Sequence, residues 1–126
     1  MRTLVDFLIE QKKRNEKYFL NYRKYANWIK KELAEKKGGK ELESLRVIVF
    51  GSVPKGTWIP NKSDIDILII SPSVSKSATW QSDLKLEILR ALGDLTAPFE
   101  FHFATPEEYR NWFEKFIGNE YVEVSG

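Results

Sequence analysis

The stretch FGSVPKGTWIPNKSDIDILII, from Phe50 to Ile70, contains the end of one predicted strand and the whole of the next. The run LRVIVF at residues 45–50 is short, apolar and rich in β-branched residues, which predicts a buried strand that ends at Gly51. The run DIDILII at residues 64–70 predicts a second strand. Two strands separated by a short connection therefore form the centre of the predicted sheet.

Two carboxylates, Asp64 and Asp66, lie two residues apart at the start of the second strand. Because side chains alternate across a sheet, both are predicted to point to the same face. Neighbouring carboxylates repel each other unless a positive charge lies between them, and a hard divalent cation such as Mg²⁺ supplies that charge. A DxD pair alone is most often a pair of solvent-exposed acidic residues at the start of a strand. Its interpretation as a metal site therefore depends on the residues around it.

A Gly-Ser pair, Gly51-Ser52, follows the first strand directly. Glycine lets the chain turn sharply and lets a ligand approach the backbone. Ser52 is predicted at the N-terminus of a helix or turn, where N–H groups and a hydroxyl suit a phosphate. Pro54 fits the first turn of such a helix. A strand, a Gly-Ser corner and a DxD strand in one unit favour a phosphate and metal site.

The cleanest alternating strand is FEFHF at residues 99–103. Its three phenylalanines are predicted on the buried side, which leaves Glu100 and His102 on the other side. If this strand lies beside residues 64–70, Glu100 can reach the aspartates as a third carboxylate. For His102 a partly exposed strand histidine is the expectation, and contact with a nucleotide is the alternative.

The other segments predict helices and one edge strand. Residues 3–37 predict a long helical segment, bent or in two parts, that stops at Gly38-Gly39. Residues 80–92 predict a helix, and Thr105 to Glu108 form a capping box for a helix that reaches about residue 117. Residues 121–124 predict an edge strand. The long segment carries an apolar stripe formed by Tyr18, Tyr22, Tyr25, Ile29 and Leu33.

The order of these elements predicts an α/β (α+β) fold. We expect a small mixed sheet with helices packed on one face and a long N-terminal helical segment. The length of 126 residues fits a single domain. Its predicted parts are the helical segment at 1–40 and the core at 41–126.

Composition excludes several kinds of site. The chain has no cysteine, which excludes disulfides, thiolate metal sites and cysteine nucleophiles, and its one histidine excludes His-rich zinc sites. No apolar run approaches the roughly 18 residues of a membrane span, and no signal-peptide pattern is seen, so we expect a cytoplasmic protein. Residues 1–40 carry a net charge of +7 and residues 41–126 a net charge of −5. A basic arm of this kind suits a nucleic acid, an acidic partner or simple solvation.

The motifs together resemble the nucleotidyltransferase superfamily of DNA polymerase beta, and in particular its minimal nucleotidyltransferases. The resemblance covers roughly residues 45–104 and implies a nucleotidyltransferase fold. By resemblance, three acidic residues are catalytic and bind two divalent metal ions, Mg²⁺ or Mn²⁺: Asp64, Asp66 and Glu100. The implied nucleotide-binding residues are Gly51, Ser52, Lys55, Gly56 and Ser63. Many minimal members have arginine where this chain has Lys55, and lysine neutralises phosphate as a point charge without the bidentate fork.

The expected activity is two-metal transfer of a nucleotidyl group from an NTP, with ATP as the expected substrate, to a hydroxyl acceptor. The resemblance also implies a helical HEPN-type partner, in a toxin–antitoxin arrangement where the acceptor is a protein side chain. The alternative is a non-catalytic binding module of the same fold, whose aromatic helix (Tyr18, Tyr22, Tyr25, Trp28) docks a second chain. A homodimer and binding to nucleic acid through the basic arm stay open, although the basic residues are spread around the helix.

Overall fold

The computed structural model describes residues 2–35, 42–59 and 62–125. Its N-terminal segment forms two helices, α1 (Leu4–Leu20) and α2 (Tyr22–Ala34), which meet at Asn21. The Asn21 side chain donates to the Lys17 carbonyl, 2.8 Å away. An asparagine that bonds to the preceding turn competes with the helical ladder, which explains why the predicted segment divides at this residue. The predicted stop at Gly38-Gly39 lies outside the described residues.

The remaining elements follow in the predicted order. They are β1 (Arg46–Phe50), a four-residue helix α3 (Ser52–Lys55), β2 (Ile65–Ile70), α4 (Ala78–Leu92) and β3 (Phe99–Ala104). After β3 come α5 (Pro106–Glu108), a π-helical turn (Tyr109–Phe113), α6 (Glu114–Ile117) and β4 (Val122–Val124). The predicted capping box is confirmed, since Thr105 and Glu108 each bond to the other's backbone N–H.

The sheet is mixed and has the strand order β3-β2-β1-β4. β1 runs antiparallel to both β2 and β4, whereas β2 and β3 are parallel. The end of β1 therefore meets the beginnings of β2 and β3 at one edge. Phe50 pairs with Asp66, and Asp66 pairs with Glu100. The α/β class and the mixed sheet are thus confirmed.

Helices cover both faces of the sheet, which corrects the prediction of helices on one face. On one face, α1, α2 and α4 pack against side chains that include Val47, Ile65 and Ile67. On the other face, Ile48, Phe50, Leu68, Ile70 and Ala104 pack against Tyr109 and Ile117 of the C-terminal helices. The unbroken apolar run at residues 67–70 requires cover on both sides, because alternate residues point to opposite faces.

The aromatic stripe of the N-terminal helices belongs to the larger core. Tyr18 is 2% exposed, and Tyr22, Tyr25 and Trp28 pack against the core as partly buried side chains. Tyr18 also donates to Asp94 at 2.8 Å. The stripe therefore packs on the domain's own sheet, and docking of a second chain by the partly buried aromatics stays a prediction.

The first half of α1 has a different environment. Five apolar side chains there are between 47% and 72% exposed: Leu4, Val5, Phe7, Leu8 and Ile9. At about 100° per residue they cover an arc of about 200° around the helix. In the ranges that the structure describes, no helix is both long and apolar enough to span a membrane.

A bidentate ion pair joins β1 to the edge strand β4. The Arg46 guanidinium donates two hydrogen bonds of 2.8 Å to the Glu123 carboxylate. These bonds lower the pKa of Glu123, against the smaller opposing effect of burial. A depressed carboxyl pKa stabilises the fold above the usual glutamate pKa, and this contribution is lost as the pH falls through the folded-state value.

We expect Glu123→Gln to destabilise the protein at pH 7 by less than about 1 kcal/mol, because both side chains are more than one third exposed and water screens the pair. Urea unfolding of wild type and variant at pH 7 and pH 3 measures the difference. It should shrink at pH 3, because the ion pair weakens as the wild-type carboxyl takes up a proton on falling pH. A difference that grows at low pH would contradict this account.

Candidate active site

Three side chains converge on the sheet face that the C-terminal helices only partly cover. One donor atom from each of Asp66, Glu100 and His102 lies within 4.8 Å of the other two. His102 Nε2 is 3.2 Å from Asp66 Oδ1 and 3.9 Å from Glu100 Oε1. The side chains are 23%, 55% and 29% exposed respectively, so a ligand from solvent can reach all three.

Strand register brings these residues together. Asp66 is the residue paired with Glu100 across the parallel β2–β3 ladder. His102 lies two residues beyond Glu100 in β3 and so shares its face. The predicted approach of Glu100 to the DxD motif is therefore present for Asp66. His102 was expected to be only a partly exposed strand residue, and its shared face with Glu100 was the signal for its place in the cluster.

The Gly51 corner lies directly against this cluster. Gly51 has φ +82° and ψ −148°, a conformation essentially restricted to glycine. A Cβ at this position would lie 2.4 Å from Asp66 Oδ2. Glycine is therefore required at this position for two reasons: the backbone conformation, and the close approach of the Asp66 carboxylate. The predicted proximity of the corner to the carboxylates is present.

Asp64 is not part of the cluster formed among the described residues. It precedes β2, which begins at Ile65. Asp64 lines an open cleft of about 530 Å³ together with Glu100, Lys62 and Lys85. Of the three predicted metal ligands, the structure thus brings Asp66 and Glu100 together and places Asp64 beside Glu100 in a neighbouring cleft.

A second cleft, of about 370 Å³, lies on the Asp66 side of the cluster. Its lining includes Gly51, Lys55, Asp66, His102 and Phe116. Lys55 is exposed, and its ammonium group adds positive charge beside the carboxylates. An aromatic ring and a lysine next to a carboxylate cluster form a suitable surface for a nucleotide's base and phosphates.

The other predicted nucleotide-binding residues have identifiable structural surroundings. Ser52 is the first residue of α3, and Gly56 ends that helix with φ +74°. The Ser63 hydroxyl accepts a hydrogen bond of 2.8 Å from the Ile59 N–H. Ser63 therefore holds the loop that precedes Asp64, while Ser52 lies directly after the Gly51 corner.

The donor set fits a divalent cation. Two carboxylates supply hard oxygen ligands, and an imidazole nitrogen is a common metal ligand. The Asp66 carboxylate reaches into the space that a Cβ at Gly51 would fill, which brings one carboxylate oxygen close to the backbone corner. Asp66, Glu100 and His102 are the residues that could hold the ion.

A carboxylate cluster beside a Gly-Ser corner, on a small mixed sheet, defines this protein as one of nucleotidyltransferase fold. The particular family follows from its sequence: the profile of the family described as "Nucleotidyltransferase domain" matches residues 26–123. The chain belongs to that family. This membership confirms the resemblance to minimal nucleotidyltransferases of the DNA polymerase beta-like superfamily and supports nucleotidyl transfer as the general activity.

Solved structures give weaker likenesses. A protein provisionally described as a nucleotidyltransferase is 24% identical with a TM-score of 0.46, over 83% of this chain and 99% of that chain. Another of the same description, from Sulfolobus solfataricus, is 20% identical with a TM-score of 0.48, over 91% of this chain and 83% of that chain. Likenesses of this strength carry no conclusion about function. No curated protein matches the chain significantly.

Proposed function

We propose that this protein transfers a nucleotidyl group, AMP from ATP, to a hydroxyl acceptor. The observation that carries the proposal is the convergence of Asp66 and Glu100 at one sheet edge, against the Gly51 corner. Membership of the nucleotidyltransferase domain family supports the reaction class. Family membership supports only nucleotidyl transfer in general, and the identities of the nucleotide, the acceptor and the ion belong to our proposal.

In the proposed reaction the acceptor oxygen attacks the α-phosphorus of ATP. The bond from this phosphorus to the bridging oxygen breaks, and pyrophosphate leaves. Mg²⁺ or Mn²⁺ bound by Asp66 and Glu100 would supply charge neutralisation for the phosphates and acidify the acceptor hydroxyl. Glu100 is the more exposed of the two carboxylates and also faces the larger cleft, so it is placed to accept the hydroxyl proton.

Positive charge for the leaving pyrophosphate comes from Lys55 in this proposal. Its side chain lines the same cleft as Gly51 and Asp66. The Ser52 hydroxyl, next to the corner, would donate a hydrogen bond to a phosphate oxygen. A lysine ammonium neutralises phosphate without selecting one orientation, since it lacks the planar fork of arginine.

Two ions, as the resemblance implies, would require Asp64 as well. Asp64 and Glu100 both line the larger cleft, whereas Asp66 lines the smaller one. A second ion in the proposed mechanism would therefore lie between Asp64 and Glu100, on the side of the larger cleft. That cleft is where we place the acceptor.

The reaction class is tested by incubating the chain, together with a co-expressed HEPN-type protein as the acceptor, with Mg²⁺ or Mn²⁺ and ATP labelled at either the α- or the γ-phosphate. Label from the α position, and none from the γ position, should join the acceptor. Transfer of the γ label would contradict nucleotidyl transfer. Transfer that survives the double variant Asp64→Asn, Asp66→Asn would refute the site, and ATP binding without transfer would favour the non-catalytic module.

We further propose that the exposed half of α1 binds a helical partner of the HEPN type, as the resemblance implies. Its apolar arc of about 200° exceeds what one neighbouring helix can cover, and a helix that is apolar over most of its surface is normally buried. An all-helical protein offers two or more helices to pack around it. The acceptor hydroxyl would then belong to a side chain of this partner.

We expect Phe7→Glu to abolish co-purification of a HEPN-type protein expressed with the tagged chain, because it places a charge within the apolar arc. Glu107→Gln, an exposed change outside this helix, is the matched control and should retain the partner. Light scattering on the chain alone tests the alternative. A homodimer that Phe7→Glu dissociates would contradict the helical-partner proposal.

A further inference from the structure

His102 differs in chemistry from the two carboxylates it accompanies. Its Nε2 atom faces Asp66 Oδ1 at 3.2 Å and Glu100 Oε1 at 3.9 Å. The three donor atoms occupy a region small enough for one cation to touch each of them. A site made only of carboxylates presents oxygen alone, whereas this one presents two oxygens and one nitrogen.

The orientation of the imidazole is restricted by its neighbours. The ring of Phe50, at the end of β1, lies 5.2 Å from the His102 ring at an interplanar angle of 56°. Phe50 is itself 5% exposed and is part of the smaller core. This ring contact and the hydrogen bond between His102 Nε2 and Asp66 Oδ1 both place the nitrogen toward the carboxylates.

A nitrogen ligand changes which ion the site prefers. Mg²⁺ prefers oxygen ligands in near-ideal octahedral geometry and retains several waters. Imidazole nitrogen binds divalent first-row transition ions more strongly, and affinity rises from Mn²⁺ to Co²⁺ in the Irving–Williams order. Replacement of one oxygen ligand by an imidazole therefore favours a transition ion over Mg²⁺.

We propose that His102 Nε2 is a direct metal ligand and makes this site selective for a divalent transition ion, such as Mn²⁺ or Co²⁺, over Mg²⁺. The inference rests on the proposed function only in using the same cluster, since it concerns binding of the ion alone. His102 is then the residue that determines which ion the site binds.

The single histidine makes the test direct. The full chain, with any purification tag removed, is loaded with Mn²⁺ and studied by pulsed electron paramagnetic resonance. We expect imidazole ¹⁴N coupling to the ion, and this coupling can arise only from His102 because the chain has one histidine. Tightly bound Mn²⁺ without ¹⁴N coupling, or no binding of any divalent ion, would overturn the proposal.

Calorimetric titration with Co²⁺ and Mg²⁺ supplies a second measurement. His102→Gln retains an oxygen donor of similar reach, so we expect a loss in Co²⁺ affinity of at least about tenfold and a change in Mg²⁺ affinity of less than about threefold. An equal loss for both ions would show that His102 only positions Asp66, and would overturn direct ligation. Circular dichroism checks that the variant is folded.

These measurements use no nucleotide. A chain that binds Co²⁺ through nitrogen but transfers no label from ATP would refute the proposed function and leave this inference intact. A chain that transfers the label and binds Mn²⁺ without nitrogen coupling would support the proposed function and overturn this inference. The two proposals therefore fail separately.

Discussion

Asp66→Asn should abolish binding of the divalent ion and reduce nucleotidyl transfer by more than about a hundredfold. Mutation of groups that merely orient metal ligands typically costs about 10–100-fold, so loss of a direct ligand should cost more. Asp66 is the member that links the cluster, because it pairs with Glu100 across the ladder and lies 3.2 Å from His102. The amide keeps the size of the side chain but removes its charge.

Asp83→Asn is the matched control for this change. Asp83 lies on α4 with an exposed side chain, so the same chemical substitution occurs away from the cluster. We expect wild-type transfer and metal affinity from it. Calorimetry with Mn²⁺ and the α-label assay measure both variants. An Asp66→Asn protein that binds Mn²⁺ like wild type would contradict the assignment of Asp66 as a ligand.

Strand register made part of this site predictable. The pattern at residues 99–103 placed Glu100 on one face, and parallel pairing with β2 then brings it opposite Asp66. The same alternation places His102 on that face. Its contact with Asp66 could not be derived from the pattern, because it depends on the orientation of the ring against Phe50.

The position of Asp64 depends on contacts between distant parts of the chain. Strand alternation does not govern it, since β2 begins one residue later. Trp58, six residues before Asp64, stacks on Phe19 of α1 with ring centroids 4.7 Å apart. A stacking contact across 39 residues leaves no pattern in the local sequence, so the DxD motif predicts the carboxylates but not their separation into two clefts.

The burial of the two ends of α1 could not be predicted from the local sequence either. Helical periodicity predicts an apolar stripe along the segment, but it does not say which part has a sheet beneath it. Tyr18 is buried against Phe99, whereas Phe7 is half exposed. The stripe's burial is decided by where the sheet ends relative to the helix, which is a property of the whole fold.

Gly51→Ala should remove activity as completely as the loss of a ligand, although it adds only one methyl group. The new Cβ would lie 2.4 Å from Asp66 Oδ2, so the carboxylate must leave its position. The backbone conformation adds a cost of about 1–3 kcal/mol in stability, because φ +82° with ψ −148° is almost exclusive to glycine. We expect loss of Mn²⁺ binding in calorimetry and loss of transfer in the α-label assay.

Gly118→Ala separates the two effects. Gly118 has φ +71° and ψ −147°, nearly the conformation of Gly51, and a Cβ there would meet no atom within 4 Å. Both variants should therefore lose about 1–3 kcal/mol in urea unfolding, since they share the backbone strain. Only Gly51→Ala should lose Mn²⁺ binding, because only that methyl group displaces the Asp66 carboxylate. If both variants bind Mn²⁺ equally well, the close approach of Gly51 to Asp66 has no part in the metal site.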